Sequence, residues 1–261
     1  MGVGKLLHRW HRVGTTLVTA LVVMVVTGGA IGGLADAAAQ RTNAAARAPI
    51  PVAEAPVEAP APPAAAPTQV DELPRDRIDH TWAARTSART GIPLRAFLAY
   101  AAASLQLKSE TPGCGVSWNT LAGIGYIESG HASHGGARLL GSGHTDRPIL
   151  GPVLDGRRTG LIRDSDRGRW DGDANYDRAI GPMQFIPGTW KRWGADADGD
   201  GVADPNQIDD AALAAARYLC ASGSLRSTGG WRAAVLSYNH SEEYADRVAG
   251  AANDYAAKAS A

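Results

Sequence analysis

A single carboxylate, Glu128, lies in an otherwise uncharged stretch that runs from Leu121 to Gly130. If this stretch is helical, Glu128 shares one apolar stripe with Leu121, Ile124 and Gly125, because the spacing is i, i+3, i+4, i+7. Gly130 predicts the end of the helix, which puts Glu128 in the last turn. Burial and the negative end of the helix dipole both disfavour a charged carboxylate.

Those placements are typical of a general acid, because a glutamate that keeps its proton near neutral pH is what cleavage of a glycosidic bond requires. The alternative is a glutamate at a frayed helix end that reaches solvent.

Two later segments carry amide and phenol groups. Gln184 lies in a Gly-Pro-Met-Gln-Phe-Ile-Pro run, and Tyr238 and Asn239 are adjacent. An amide both donates and accepts hydrogen bonds, as ligands with hydroxyl and acetamido groups require. Such residues can also be buried and satisfy one another.

An acidic run at residues 196–201 has the spacing of a calcium-binding loop. It places carboxylates at positions 1, 3 and 5, glycine at position 6 and a backbone carbonyl at position 7, as in EF-hand loops. The Glu that is usual at position 12 is replaced by Gln207. The alternative is an Asp-rich turn that only caps the next helix. The candidate oxygen ligands within the run and just after it are Asp196, Asp198, Asp200 and Val202.

In this order, the segments resemble the lytic murein transglycosylases, specifically the membrane-bound B-type with its lysozyme-like catalytic core. Members of that family carry a catalytic Glu followed by Ser, a Gly-Xaa-Met-Gln-Phe-Xaa-Pro loop, an acidic calcium loop and a late Tyr-Asn pair. The resemblance covers roughly residues 117–245.

This resemblance implies a mainly α-helical, lysozyme-like α+β domain that cleaves the β-1,4 bond between N-acetylmuramic acid and N-acetylglucosamine in peptidoglycan. It implies Glu128 as the single catalytic residue and a 1,6-anhydromuramic product. It also implies a structural Ca²⁺ with Asp210 as its last ligand. The residues that it implies as substrate contacts are Tyr126, Ser129, Met183, Gln184, Phe185, Tyr238 and Asn239.

Three other functions stay open on the sequence alone. A muramidase that hydrolyses the same bond needs a second carboxylate, for which the stretch from Asp164 to Asp177 offers candidates. A non-catalytic wall-binding module needs no acid. A zinc-dependent wall peptidase needs a metal cluster, but no His-Glu-Xaa-Xaa-His pattern is present and the available residues lie in a loop-like segment. Those residues are His131, His134, His144 and Asp146.

The front of the chain predicts export. Lys5, Arg9 and Arg12 precede an uncharged apolar segment, Val13 to Ala35, which is the layout of a signal peptide and is also long enough to span a bilayer. We therefore expect a signal or membrane anchor at residues 1–36, an Ala/Pro-rich disordered linker at 37–73 and the transglycosylase domain at 74–261. The enzyme would lie in the cell envelope, either secreted or tethered to the cytoplasmic membrane.

Net charge and cysteine content indicate which partners to expect and whether a disulfide forms. The net charge is zero and no basic run with interleaved aromatic residues occurs, so we expect no nucleic acid partner. We also expect the protein to be a monomer. Behind an export signal, the only two cysteines, Cys114 and Cys220, predict a disulfide; the alternative is two free buried thiols.

The remaining patterns predict helices almost throughout the domain. Pro93 opens one helix and Ser117 is the predicted N-cap of the helix that carries Glu128. Asp209 or Asp210 is expected to cap a helix that ends at Cys220. The next predicted helix holds Trp231, Val235, Tyr238 and Asn239 on one face, and a last one runs from Glu242 to Ala257. Residues 130–177 predict a long loop with at most a short hairpin.

Overall fold

A computed structural model describes residues 73–261. The predicted export segment and nearly all of the Ala/Pro-rich linker lie outside the described residues. Over residues 73–261 the chain forms seven α-helices and one two-stranded sheet, which confirms the mainly α-helical class. None of the helices in this part of the chain has the length and apolar character needed to span a membrane.

The elements follow one another with short connections except in the middle of the chain. A short 3-10 helix at Pro74–Arg77 precedes them. The helices and strands are α1 (His80–Thr90), α2 (Leu94–Glu110), α3 (Trp118–Ser129), β1 (Leu150–Val153), β2 (Arg178–Ile180), α4 (Pro187–Trp193), α5 (Ile208–Cys220), α6 (Thr228–Tyr238) and α7 (Glu242–Ser260).

Helix α3 lies in the core, packed between α2 and α7. Its glycines allow this close packing. A Cβ at Gly123 would lie 2.9 Å from the carbonyl oxygen of Val248 on α7, and a Cβ at Gly125 would lie 2.1 Å from the hydroxyl of Tyr100 on α2. Because any larger residue would push the helices apart, the small residues of α3 fix the position of the helix end that follows them.

Aromatic side chains fill the space between the first three helices. The ring of Phe97 lies 5.0 Å from that of Trp118 and 5.1 Å from that of Trp82, centroid to centroid. Pro93 precedes α2, as predicted. Ser117 does precede α3, but its hydroxyl contacts Thr120 Oγ1 at 3.1 Å and caps no backbone N–H.

The expected cap of α5 was wrong. Gln207, rather than Asp209 or Asp210, is its N-cap, and the Gln207 side chain accepts hydrogen bonds from both of those backbone N–H groups. The side chains of Asp209 and Asp210 therefore do not cap the helix and form other contacts. Cys114 and Cys220 form the predicted disulfide, which links the segment before α3 to the end of α5.

The long segment between α3 and α4 is loop-rich, as predicted. Strands β1 and β2 pair antiparallel, with Leu150 opposite Ile180 and Val153 opposite Arg178. Residues 154–177 extend from this sheet as a hairpin that is held by isolated bridges such as Arg163 with Tyr176. The sheet thus carries the chain from the hairpin directly into the turn at Gly181, which precedes α4.

Candidate active site

Glu128 lies in the last turn of α3, where the sequence placed it. Gly130 ends the helix in the left-handed conformation, with φ of 60°. The N–H of Gly130 donates to the carbonyl of Tyr126 at 2.9 Å, and the N–H of His131 donates to that of Gly125 at 3.0 Å. These two bonds are the pattern of a glycine-ended helix, so the terminal turn is fixed rather than frayed.

The Glu128 carboxyl is half-buried and has one hydrogen-bond donor within residues 73–261. Tyr244 on α7 donates its hydroxyl to Glu128 Oε1 at 2.6 Å. Burial raises the pKa of Glu128 to about 7, although the Tyr244 hydroxyl and the charge of Arg247 act in the opposite direction. A carboxyl with a pKa near 7 holds a proton in a large fraction of molecules at neutral pH and can return to the charged form after donating it.

The turn at Gly181–Phe185 is fastened to the Glu128 helix on one side and to α6 on the other. Ser129 Oγ, which is buried, donates to the carbonyl of Pro182 at 2.7 Å. Tyr238 Oη donates to the carbonyl of Met183 at 2.7 Å. Ser129 and Met183 were predicted as substrate contacts, but the structure places both in the interior, where they position the turn.

Gln184 has a backbone conformation that is uncommon for a residue with a side chain, with φ of 51°. Its Nε2 donates to the carbonyl of Gly181 at 2.9 Å, so the amide nitrogen is engaged within the protein. The next residue, Phe185, is buried and packs edge-on against Trp190 and Tyr238. Both residues nevertheless border a small cavity beside Tyr238.

This cavity has a volume of about 50 Å³. Tyr238, which lines it, is close to the catalytic candidate: burial raises the pKa of Tyr238, and the nearby charge of Glu128 raises it further. The residues that line it are Gln184, Phe185, Ile186, Thr189, Tyr218, Ser237, Tyr238, Asn239 and His240.

Asn239 does not share the face of α6 that was predicted for it, because the helix ends at Tyr238 and Asn239 follows in an extended conformation. It is only 5% exposed, and its side-chain Oδ1 has no hydrogen-bond partner within residues 73–261. A buried polar atom without a partner is unusual in a folded protein. Bordering a cavity, this amide is available to a ligand.

Tyr126 is not brought into this group. Two positions before Glu128, it points about 200° away around the helix. It is 52% exposed, and its ring lies 5.7 Å from that of His131 and 6.4 Å from that of Tyr255.

His131 belongs to a buried network that was not expected. Its Nδ1 lies 3.2 Å from Tyr100 Oη, and its Nε2 lies 2.8 Å from Tyr255 Oη. Burial lowers the pKa of His131 to about 4, so the ring is neutral at physiological pH. The residues proposed for a zinc cluster are scattered: His144 contacts Asp204, and Asp146 is bound by Arg138. They form no metal-binding group within the described chain.

Tyr244 is the principal site residue that the sequence reasoning missed. It lies in the first turn of α7, a helix that was predicted without any site residue. Its position six residues after Tyr238 gave no signal, because its role depends on the packing of α7 against α3.

The acidic loop brings together three of its predicted ligands. Carboxylate oxygens of Asp196, Asp198 and Asp210 all lie within 4.8 Å of one another. Asp210 is fully buried and accepts from the N–H groups of Ala197 at 2.6 Å and Asp204 at 2.9 Å. Burial raises the pKa of Asp210 to about 6.

Asp200 lies outside that group of three; its Oδ1 accepts from the Val202 N–H at 2.8 Å. A cluster of hard oxygen atoms with a buried carboxylate at its base is suited to Ca²⁺. A cation there would favour the charged form of Asp210, which burial disfavours.

The end of the acidic loop also supports the turn beside Glu128. Gly181 has φ of 73°, and a Cβ at this position would lie 1.9 Å from the carbonyl oxygen of Pro205. Only glycine fits such an approach. The loop that begins at Asp196 therefore forms one wall behind the Gly181 turn.

A second acidic group occupies the hairpin, whose sequence offered candidates for a second catalytic carboxylate. Asp164, Asp166 and Asp177 have carboxylate oxygens within 4.8 Å of one another. Asp177 is buried and accepts from the N–H and the hydroxyl of Ser165, at 2.8 and 2.7 Å. These bonds hold the hairpin together.

Comparison with known protein families gives a match over part of the chain. Residues 160–235 match the family described as the transglycosylase SLT domain. The match includes the Gly181 turn and the acidic loop, and it ends before Tyr238; Glu128 precedes it. It supports the resemblance to the lytic transglycosylases over that part of the chain.

Among solved structures, the chain is similar to SltB3 from Pseudomonas aeruginosa, crystallised in complex with NAG-anhNAM-pentapeptide. The identity is 17% and the TM-score 0.40, over 67% of this chain and 66% of that one, just under two thirds of its length. No curated protein matches the chain.

Proposed function

We propose that this protein is a lytic transglycosylase of the B-type that cleaves the N-acetylmuramic acid–β-1,4–N-acetylglucosamine bond. The observation that carries the proposal is the state of Glu128. Its carboxyl is withdrawn from water at a fixed helix end, has the Tyr244 hydroxyl 2.6 Å away and has a pKa of about 7. The match of residues 160–235 supports the substrate class.

In the first step, Glu128 gives its proton to the glycosidic oxygen as the bond to the anomeric carbon breaks. The acetamido group of the muramic residue attacks the anomeric carbon and carries the positive charge that develops there. Glu128, now a carboxylate, then takes the proton of the 6-hydroxyl. The 6-oxygen displaces the acetamido oxygen, and a 1,6-anhydro ring closes without consuming water. One carboxyl thus acts as acid and then as base.

The cavity beside Tyr238 is the part of the cleft that we assign to sugar groups. Asn239 has a side-chain oxygen without a partner, and Phe185 and Tyr238 supply aromatic walls. Gln184 borders the same space. Ser129 and Met183 support these contacts indirectly, since each holds the Gly181 turn in place.

We propose a structural Ca²⁺ at the acidic loop, held by Asp196, Asp198 and Asp210, with Asp200 and the Val202 carbonyl as further ligands. Support comes from the close approach of the first three carboxylates and the burial of the last. The ion would neutralise their charge and stabilise the wall behind Gly181.

We also propose that the enzyme works outside the cytoplasm, in the cell envelope. The disulfide between Cys114 and Cys220 supports this location, because such bonds persist in oxidising compartments.

Mass spectrometry of the products from purified peptidoglycan tests the reaction. We expect muropeptides that end in 1,6-anhydromuramic acid. Products with reducing muramic ends would identify a hydrolase that uses water and a second carboxylate instead. The absence of any released muropeptide would leave a wall-binding module as the better description.

A further inference from the structure

A second, larger groove lies on the other side of α4 from the cavity beside Tyr238. It has a volume of about 580 Å³ and is bounded by the hairpin, by α4 and by the end of the acidic loop. Ile186 and Thr189 face the cavity, whereas Pro187 and Lys191 face the groove. We call it the distal groove. The charged, aromatic and apolar side chains that line it include Asp166, Arg169, Trp170, Trp190, Lys191 and Val202.

The distal groove contains two cationic side chains that are not neutralised by a carboxylate within residues 73–261. Arg169 comes from the hairpin and Lys191 from α4; both are exposed, and neither forms an ion pair within residues 73–261. The Arg169 guanidinium lies 4.7 Å from the centre of the Trp170 ring. Stacking of this kind holds the guanidinium in place and leaves its N–H groups free to bind an anion.

The groove also has an acidic and an apolar component. Among residues 73–261, Asp166 is the single carboxylate that lines it, and its Oδ1 is buried with no hydrogen-bond partner in that part of the chain. Trp170 and the 48% exposed Val202 supply apolar surface. A complementary ligand therefore carries carboxylates for the two cations, an N–H or ammonium group for Asp166 and short aliphatic parts between them. A peptide with free acidic groups and an amine has all three.

We propose that the distal groove binds the stem peptide that is attached to the muramic residues of peptidoglycan. The proposal rests on the proposed function, which places a glycan strand in the cleft at Glu128. Such a peptide carries free carboxylates and a diamino acid, which matches the charges of Arg169, Lys191 and Asp166.

The reach of a stem peptide is sufficient. Only α4 separates the groove from the cavity beside Tyr238, and a helix with its side chains is about 10–12 Å wide. An extended peptide advances about 3.3 Å per residue, so three to five residues span roughly 10–17 Å. A peptide that leaves a sugar in the cleft can therefore cross α4 and place its acidic end between Arg169 and Lys191.

Kinetics on two matched substrates test the proposal with the full chain. Soluble glycan strands that carry stem peptides are compared with the same strands after an amidase has removed the peptides. We expect removal to raise KM by roughly 5–10-fold with little change in kcat, since two exposed ion pairs supply uniform binding of this size.

The double variant Arg169→Gln/Lys191→Gln should raise KM for the peptide-bearing strands by the same factor and leave KM for the stripped strands unchanged. A matched control, Arg85→Gln/Lys108→Gln, removes the same charge from exposed positions elsewhere and should change neither value. Equal KM values of the unmutated enzyme for the two substrates would overturn the proposal, as would an equal effect of both double variants.

A binding measurement separates this proposal from the proposed reaction. Titration of ¹⁵N-labelled protein with the free stem pentapeptide should shift the resonances of Arg169, Trp170 and Lys191, whereas inorganic phosphate at the same concentration should not. If neither strand is cleaved but the pentapeptide shifts these signals, the reaction is wrong and the groove assignment stands. Absent shifts, or identical shifts with phosphate, would refute the groove assignment.

Discussion

Glu128 is a partly buried carboxyl group and Asp210 a fully buried one, and they differ in the number of hydrogen bonds that they receive within residues 73–261. Glu128, at the end of α3, accepts the single hydroxyl of Tyr244. Asp210, at the start of α5, accepts from the backbone N–H groups of Ala197, Asp198 and Asp204. Burial raises the pKa of both, to about 7 for Glu128 and to about 6 for Asp210.

This difference in hydrogen bonding suits Glu128 to donate a proton and Asp210 to a structural role. Each N–H that points at a carboxylate stabilises its charged form, so a residue with three such donors serves to hold charge and structure. A residue with one donor and little water keeps its proton and can deliver it. The helical region around Glu128 therefore has the electrostatics of an acid, whereas the acidic loop has those of a support that a cation would complete.

The largest expected effect is on turnover. Glu128→Gln keeps the shape of the side chain and still accepts from Tyr244, but it has no proton to give at working pH. We expect turnover to fall by at least the ~10²–10⁴-fold that is typical of losing a general acid. Glycan binding and the fold should persist. As a control, Glu243→Gln, an exposed change in the first turn of α7, should leave turnover intact. Near-normal turnover of Glu128→Gln would remove it from the mechanism.

The second prediction concerns the acidic loop. If Ca²⁺ binds only the folded protein, it stabilises that state by ~2.7 kcal/mol at a hundredfold excess over Kd. A calcium chelator should lower the melting temperature, and Asp198→Ala should lower it to the same value and abolish the response to the chelator. Asp254→Ala, on the surface of α7, should retain the response. A melting temperature that neither the chelator nor Asp198→Ala changes would exclude the ion.

The third prediction uses the raised pKa of Glu128 as a stability measurement. The folded protein holds this proton up to about pH 7, whereas the unfolded chain releases it near the ordinary value of 4.5. Folding therefore becomes less favourable as pH rises from about 4.5 to 7. Glu128→Gln should be more stable than the unmutated protein at pH 8, by up to about 3 kcal/mol for a shift from 4.5 to about 7, and the difference should fade towards pH 4. A constant difference across this range, measured by denaturant unfolding, would contradict the shift.

The smallest predicted effect concerns the hydrogen bond that Tyr244 donates to Glu128. Tyr244→Phe removes a hydrogen bond to the charged form of Glu128, so the pKa of Glu128 should rise further. The loss of kcat/KM at alkaline pH should move to higher pH by about 0.5–1 unit, since one hydrogen bond contributes about 1 kcal/mol. Tyr176→Phe, in the hairpin, should leave the profile unchanged. A shift to lower pH would mean that Tyr244 acts otherwise.

The sequence predicted the helical region better than the loop region, for a physical reason. Periodicity and the glycine at 130 located the last turn of α3, because a helix end depends on neighbouring residues. Tyr244 was missed because its contact with Glu128 joins two helices. The interior placement of Ser129 and Met183 likewise depends on how the Gly181 turn folds back against α3 and α6.

In the loop region, the spacing of Asp196 and Asp198 correctly predicted two carboxylates that lie close together, because the geometry of such a loop is local. The cap of α5 was not, since Gln207 competes with two aspartates for the same N–H groups. The net charge of zero also concealed the unpaired cations of the distal groove, because composition does not show how charges are segregated.

The most direct test is titration of the Glu128 carboxyl itself. In protein labelled with ¹³C at glutamate Cδ, the resonance missing from Glu128→Gln identifies the group. Its chemical shift followed from pH 4 to pH 9 then gives the pKa without reference to substrate. We predict a midpoint near 7, with the carboxyl still protonated at pH 6. A midpoint near the ordinary value of 4.5 would show a charged, solvated glutamate at neutral pH, and Glu128 would not be the proposed general acid.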